Sequence, residues 1–108
     1  MKRGDVVIVA IQGDHGKPRP ALVVQNDLVE DVDTTLVCLI TTNTDIDAIF
    51  RLAVTPNPVN GLHEQSFVML DKTTMVLRQK SRRIIGRLSD DQMAEVDLRL
   101  AFVFGLTR

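Results

Sequence analysis

Arg19 stands between two prolines in Lys17-Pro18-Arg19-Pro20, and the apolar run Ala21-Leu22-Val23-Val24 follows at once. Each proline fixes its own φ and pushes the residue before it toward extended backbone, so a guanidinium rides on a stiff segment anchored by a strand. A planar fork of N–H donors held this way suits an anion, whose two oxygens it can grip together. The alternative is a surface ion pair that only tethers the segment. About twenty residues on, Leu36-Val37-Cys38-Leu39-Ile40 runs out into Thr41-Thr42-Asn43-Thr44. These hydroxyls either bond the same anion or cap the strand end. Two such strand ends meeting would form an anion-handling site, with Lys17 beside it. His15 lies four residues before Arg19 in the glycine-rich Gln12-Gly13-Asp14-His15-Gly16. An imidazole exchanges its proton near neutral pH, which fits a general base, although a loop histidine is also simply solvated. His63 and Glu64 form a second acid-base pair with no motif around them.

A further signal is charge. Between Asp71 and Asp90 there is no acidic residue, while Lys72, Arg78, Lys80, Arg82, Arg83 and Arg87 all fall inside that window. Such a run is either a solvated strand face or a surface that follows a phosphate backbone. The net charge of −1 carries no whole-molecule polyanion footprint, so any such surface is local.

Elements must position these groups. The 108 residues make one domain, 1–108, with 44% hydrophobic and 25% charged residues, ordinary for a globular protein. All four aromatics are Phe, so the core rests on Val, Leu and Ile, many of them strand formers. Val6–Ile11 reads as a buried strand, the strand from Ala21 ends near Asn26, and Thr35–Thr41 is the third. Ile49–Val54 is a fourth, and Pro56–Gly61 a surface loop. Gln65–Leu70 is a fifth, closed by Asp71–Thr74, with Met75-Val76-Leu77 a short edge piece. Lys80–Leu88 follows, with Gly86 a candidate bulge. Ser89-Asp90-Asp91-Gln92 is a capping box, and Met93, Val96, Leu100 and Val103 at helical spacing predict a helix over 90–104, ended by Gly105. Leu98 and Phe102 fall on another face of that helix, surplus surface for a partner. The expected fold is mostly β with a C-terminal helix, a small antiparallel barrel. Cys38 is the only cysteine, so no disulfide framework exists within the chain, and no cluster is spaced as a metal site; no cofactor is expected. No signal peptide or membrane-length apolar run is seen, which points to the cytoplasm.

Arg3-Gly4-Asp5-Val6-Val7, Arg19-Pro20-Ala21, Ile40-Thr41-Thr42, Gly61-Leu62 before a strand reaching Asp71, and the closing amphipathic helix, in this order, resemble the MazF/PemK family of bacterial toxins. The resemblance covers nearly the whole chain. It implies an SH3-like barrel of the CcdB/MazF type, a homodimer, and a cognate antitoxin as partner. It also implies metal-independent, sequence-specific cleavage of single-stranded RNA that leaves a cyclic phosphate. Arg19 falls on the family's catalytic arginine and Thr41 on its catalytic threonine. Asp71 falls where some relatives carry a functional aspartate, but those relatives have an arginine two residues earlier, where this chain has Met69.

Cleavage of this kind needs a proton acceptor for the 2′-hydroxyl and donors for the negative charge on phosphorus. Arg19 and Thr41 suit the charge. Guanidinium groups keep their proton far above neutral pH, so His15 is the better-matched base. Lys17, Thr42, Thr44, Arg82, Arg83 and Arg87 are the candidate RNA contacts, with bases read by loops because there is no Trp or Tyr to stack on. Two other readings stay open. One is a gyrase-binding toxin of the CcdB branch, which closes with Trp-Gly-Ile where this chain has Phe104-Gly105-Leu106. The other is an inert barrel that binds RNA or protein.

Overall fold

Six antiparallel strands and one helix make up the computed structural model, which describes residues 1–10, 17–29, 33–43, 50–81 and 83–107. The strands are β1 (Asp5–Ala10), β2 (Pro18–Val23), β3 (Thr34–Thr41), β4 (Arg51–Val54), β5 (Ser66–Leu77) and β6 (Arg83–Arg87); a 3-10 turn at Arg78–Lys80 precedes β6, and α1 (Asp90–Val103) closes the chain. The sheet order is β4-β5-β3-β2-β1-β6. β4 and β6 are the two edges, so the barrel is incompletely closed. The connection from β4 to β5 covers the gap, where the Arg87 N–H donates to the Val59 carbonyl at 3.0 Å.

The β-branched run of β1 is buried on both faces, and its two-residue period divides the core. Val6 joins Leu22, Cys38, Ile40, Val68, Leu70, Val96 and Leu100 in the cluster beneath α1. Val7 and Val9 join Ala21, Val23, Val37 and Val76 on the opposite face. The helix begins as its sequence predicts: Gln92 N–H donates to Ser89 Oγ at 3.2 Å, and Ser89 N–H donates to Gln92 Oε1 at 2.9 Å. Gly105, at φ +74°, lets Leu106 N–H return to the Ala101 carbonyl at 2.8 Å. Val96 and Leu100 are buried, while Leu98 and Phe102 are exposed.

Three expectations change. β2 starts at Pro18 and stops at Val23, short of Asn26, because the Asn26 side chain and carbonyl take the N–H groups of Leu28 and Val29 and turn the chain. The predicted fifth strand and edge piece are one twelve-residue strand, β5, so Asp71 lies inside it and not at its end. A bulge hides this continuity: Ile40 faces Val68 and Cys38 faces Thr73, leaving Met69–Lys72 across from Leu39. Finally, the 56–61 loop is not all surface, since Asn60 is fully buried. Its amide donates to the Thr55 carbonyl at 2.9 Å and accepts from Leu62 N–H at 3.0 Å and Asn57 N–H at 3.2 Å. Gly86 does mark an irregularity, because the β1–β6 register shifts between Val6 and Val7 and leaves Ile85 as the extra residue.

Candidate functional site

The ladder between β2 and β3 pairs Ala21 with Leu39, Leu22 with Cys38 and Val23 with Val37. It goes no further toward the prolines, although β2 pairs with β1 as far as Pro18. Pro18 and Pro20 have no N–H to contribute, so the β2–β3 seam opens there. Continued across the opening, the same register sets Arg19 opposite Thr41. Residues opposed in an antiparallel pair share a face. Arg19 alternates with Ala21 and Val23, and Thr41 with Val37 and Leu39, so both belong to the face away from α1. Thr41 Oγ1 also accepts the Asn43 N–H at 3.1 Å, which fixes the strand end. Lys17, exposed, precedes the pair.

On the other face of the same rim lies a cleft of about 340 Å³. Ile8, Pro20, Leu62 and Ile85 give it apolar walls, and Thr42, His63, Glu64 and Ser66 bring polar groups. Pro20 follows Arg19 and Thr42 follows Thr41, so strand alternation alone puts the cleft and the arginine–threonine pair back to back. Gly61, at φ +70°, sits so close to β6 that a Cβ there would be 2.0 Å from the Ile85 carbonyl oxygen. At Gly86 a Cβ would be 2.3 Å from the Asn60 carbonyl carbon. Ser66 Oγ donates to the Glu64 carbonyl at 2.8 Å. These contacts make the cleft wall rigid.

The basic window divides by partner. Arg78 is structural, its Nε donating to the Thr34 carbonyl at 3.2 Å. Arg87 pairs with the buried Asp5 at 3.7 Å, and its register partner on β1 is also Asp5. Arg19 pairs with Val9, four residues along, so Arg87 is roughly 13 Å from the rim at ~3.3 Å per residue. Arg83 pairs with Ile8 and therefore shares the cleft face. Asp71 occupies the β5 bulge, with Lys72 Nζ 4.0 Å away. His15, Thr44 and Arg82 lie outside the described residues. Among the described residues no three His, Cys, Asp or Glu groups come together as metal donors. The cleft itself is not legible in the sequence because Ile8, Pro20, Leu62 and Ile85 come from four distant segments; Gly61 and the His63–Glu64 pair are its local signals.

The geometry defines a class: a small, incompletely closed antiparallel barrel with an arginine and a threonine on the rim at one end of its strands. The family described as PemK-like, MazF-like toxin of type II toxin-antitoxin system matches residues 2–104. A probable endoribonuclease MazF from Mycolicibacterium smegmatis is 36% identical over 108 residues, covering 98% of each chain. The solved structure of the Mycobacterium tuberculosis toxin MazF-mt6 superposes with a TM-score of 0.81 at 26% identity, over 96% of this chain and 99% of that one. A mycobacterial endoribonuclease in complex with its cognate antitoxin gives 0.82 at 20% identity, over 100% and 98%, a likeness of fold. The chain belongs to the PemK-like, MazF-like toxin family.

Proposed function

We propose that this protein is the endoribonuclease toxin of a toxin–antitoxin pair and cuts single-stranded RNA at the β2–β3 rim. The observation that carries the reading is the β2–β3 register, which, continued past its last pair at Ala21 and Leu39, faces Arg19 with Thr41. Family membership and the relative named as an endoribonuclease support it. In the reaction the 2′-oxygen forms a bond to phosphorus and the P–O5′ bond breaks, leaving a 2′,3′-cyclic phosphate and a 5′-hydroxyl. The Arg19 guanidinium and the Thr41 hydroxyl donate to the phosphoryl oxygens as negative charge builds. His15 takes the 2′-hydroxyl proton, and the departing 5′-oxygen takes one from water. No metal or cofactor enters this scheme. Lys17, Thr42 and Arg83 meet the strand beside the rim, and Arg82 and Thr44 are the flanking contacts assigned from sequence. Arg87, tied to Asp5 away from the rim, contributes less. The toxin acts in the cytoplasm as a homodimer, pairing through the outer face of α1, and a cognate antitoxin holds it inactive.

The test is incubation of purified protein with a long single-stranded RNA in EDTA, followed by mapping of the new ends. Discrete cuts with 5′-hydroxyl and cyclic-phosphate ends are expected. Arg19→Ala lowers the rate by about 10²–10³, the cost of removing one preorganised charge donor. Thr41→Val lowers it less. Uncut RNA, or equal rates for wild type and Arg19→Ala, overturns the reading.

A further inference from the structure

Phenylalanine is the only aromatic residue type in the chain, and the sheet sets one of the four beside the rim pair. Thr41 pairs with Phe67 on β5, and Phe67 pairs with Ala53 on β4. Phe67 alternates with Val68 and Leu70, which lie in the core beneath α1, so its ring belongs to the other face, that of Arg19 and Thr41. Neighbouring strands are ~4.8 Å apart, so the ring stands one strand from the threonine hydroxyl. It is partly exposed, and Ala53, exposed beside it, is too short to cover it. A second guanidinium follows on the same face. Arg51 alternates with Leu52 and Val54, which pack into the core beneath α1, and it faces Met69, one diagonal from Phe67. Its Nε is buried and has no hydrogen-bond partner among the described residues. A buried donor left in that state costs free energy that an incoming acceptor recovers.

We propose that Phe67 is the stacking platform of the substrate strand: a base next to the cut phosphate lies flat on its ring, and a further phosphate meets Arg51. The proposal rests on the ribonuclease reading and adds to it the path of the strand, across the sheet from β2 toward β4. Guanidinium, hydroxyl, ring and guanidinium succeed one another along this path. Charge alternating with π-surface is what a single-stranded nucleic acid matches. Every base has a π-face, so the contact holds the strand in place without choosing its sequence.

The test exploits the absence of Trp from the chain: Phe67→Trp keeps an aromatic ring at the site and makes it the sole tryptophan reporter. The variant is titrated with a pool of random-sequence 2′-fluoro decamers, which lack the attacking hydroxyl, and with an abasic decamer of equal charge. The base-bearing strands are expected to quench the indole emission, and the abasic strand to leave it unchanged. Phe67→Leu, which keeps apolar packing, is expected to bind the base-bearing strands about tenfold more weakly than wild type, the loss of one stack, and the abasic strand no differently. Arg51→Gln lowers the slope of log affinity against log salt by about 0.7, the share of one phosphate on a single strand. Equal quenching by both kinds of strand, or equal affinities of Phe67→Leu and wild type, overturns the platform, while natural RNA that is still cut leaves the ribonuclease reading standing. An unchanged salt slope in Arg51→Gln overturns the path toward β4. Quenching and weakening as expected with natural RNA left intact would keep the platform and sink the nuclease reading. No binding of any strand sinks both.

Discussion

Cys38 shows how a single side chain is tuned by its place in the sheet. Its thiol is fully buried, lies 3.3 Å from Thr73 Oγ1, and faces the core beneath α1. Burial pushes the thiol above its ordinary value; the Thr73 hydrogen bond and the Arg3 charge work against this, and the Asp71 charge adds to it. The folded protein therefore keeps the thiol protonated at pH values where the unfolded chain has begun to ionise. Stability is unaffected below the ordinary thiol range, ~8.5, and falls as pH rises from there toward the folded value. Comparing denaturant midpoints of wild type and Cys38→Ala from pH 7 to 10 checks this: the wild-type advantage shrinks at the alkaline end. Equal slopes would mean the thiol ionises alike in both states. Arg19 is readable from sequence because its prolines speak for it locally. His63 and Glu64 stand out in the sequence only as an acid-base pair, since nothing near them in the chain reveals that they share a cleft with Ile8 and Ile85.

At the scale of elements, the β4–β5 connection and β6 lock together through two glycines, and only one of the pair has an unusual backbone angle. Gly61 and Gly105 have similar φ, +70° and +74°, but a Cβ on Gly105 meets nothing within 4 Å. The two substitutions separate backbone strain from steric clash. Gly105→Ala is expected to cost about 1–2 kcal/mol, the left-handed penalty alone. Gly61→Ala adds collision with the Ile85 carbonyl and costs upward of about 3 kcal/mol. Urea denaturation of both variants measures the difference, and equal costs would show that the loop yields easily. The capping box and the 3.6-residue period made the helix plain in the sequence. The 56–61 loop reads as all surface because Pro-Asn-Pro-Val-Asn-Gly has surface composition, while the buried amide of Asn60 answers three backbone groups of its own loop, a saturation that hydropathy does not register. β5 reads as two pieces for a related reason: polar Asp71 and Lys72 sit at a bulge that interrupts the register without ending the strand.

For the whole molecule, the surface beyond the core matters. Leu98 and Phe102 are 66% and 48% exposed on α1 and line a shallow groove with Glu95 and Arg99. Apolar side chains of this size, side by side on a regular helix, suit the proposed homodimer contact. Leu98→Ser combined with Phe102→Ser is expected to shift the native mass from dimer to monomer by light scattering, with the helix still formed. A dimer that persists moves the contact to another face. The sheet order is not legible in local patterns, because strands adjacent in space, such as β3 and β5, are separated by β4 in the chain; the family resemblance implies the barrel type but not the order. That order also governs timing. β1 is held between β2 and β6, and Val6 pairs with Gly86, eighty positions later. At a synthesis rate of roughly 5–20 residues per second, the strand that supports Arg19 waits several seconds on the ribosome for its second neighbour. A half-made chain thus has no finished rim, and the proposed cutting site is completed only near the end of translation.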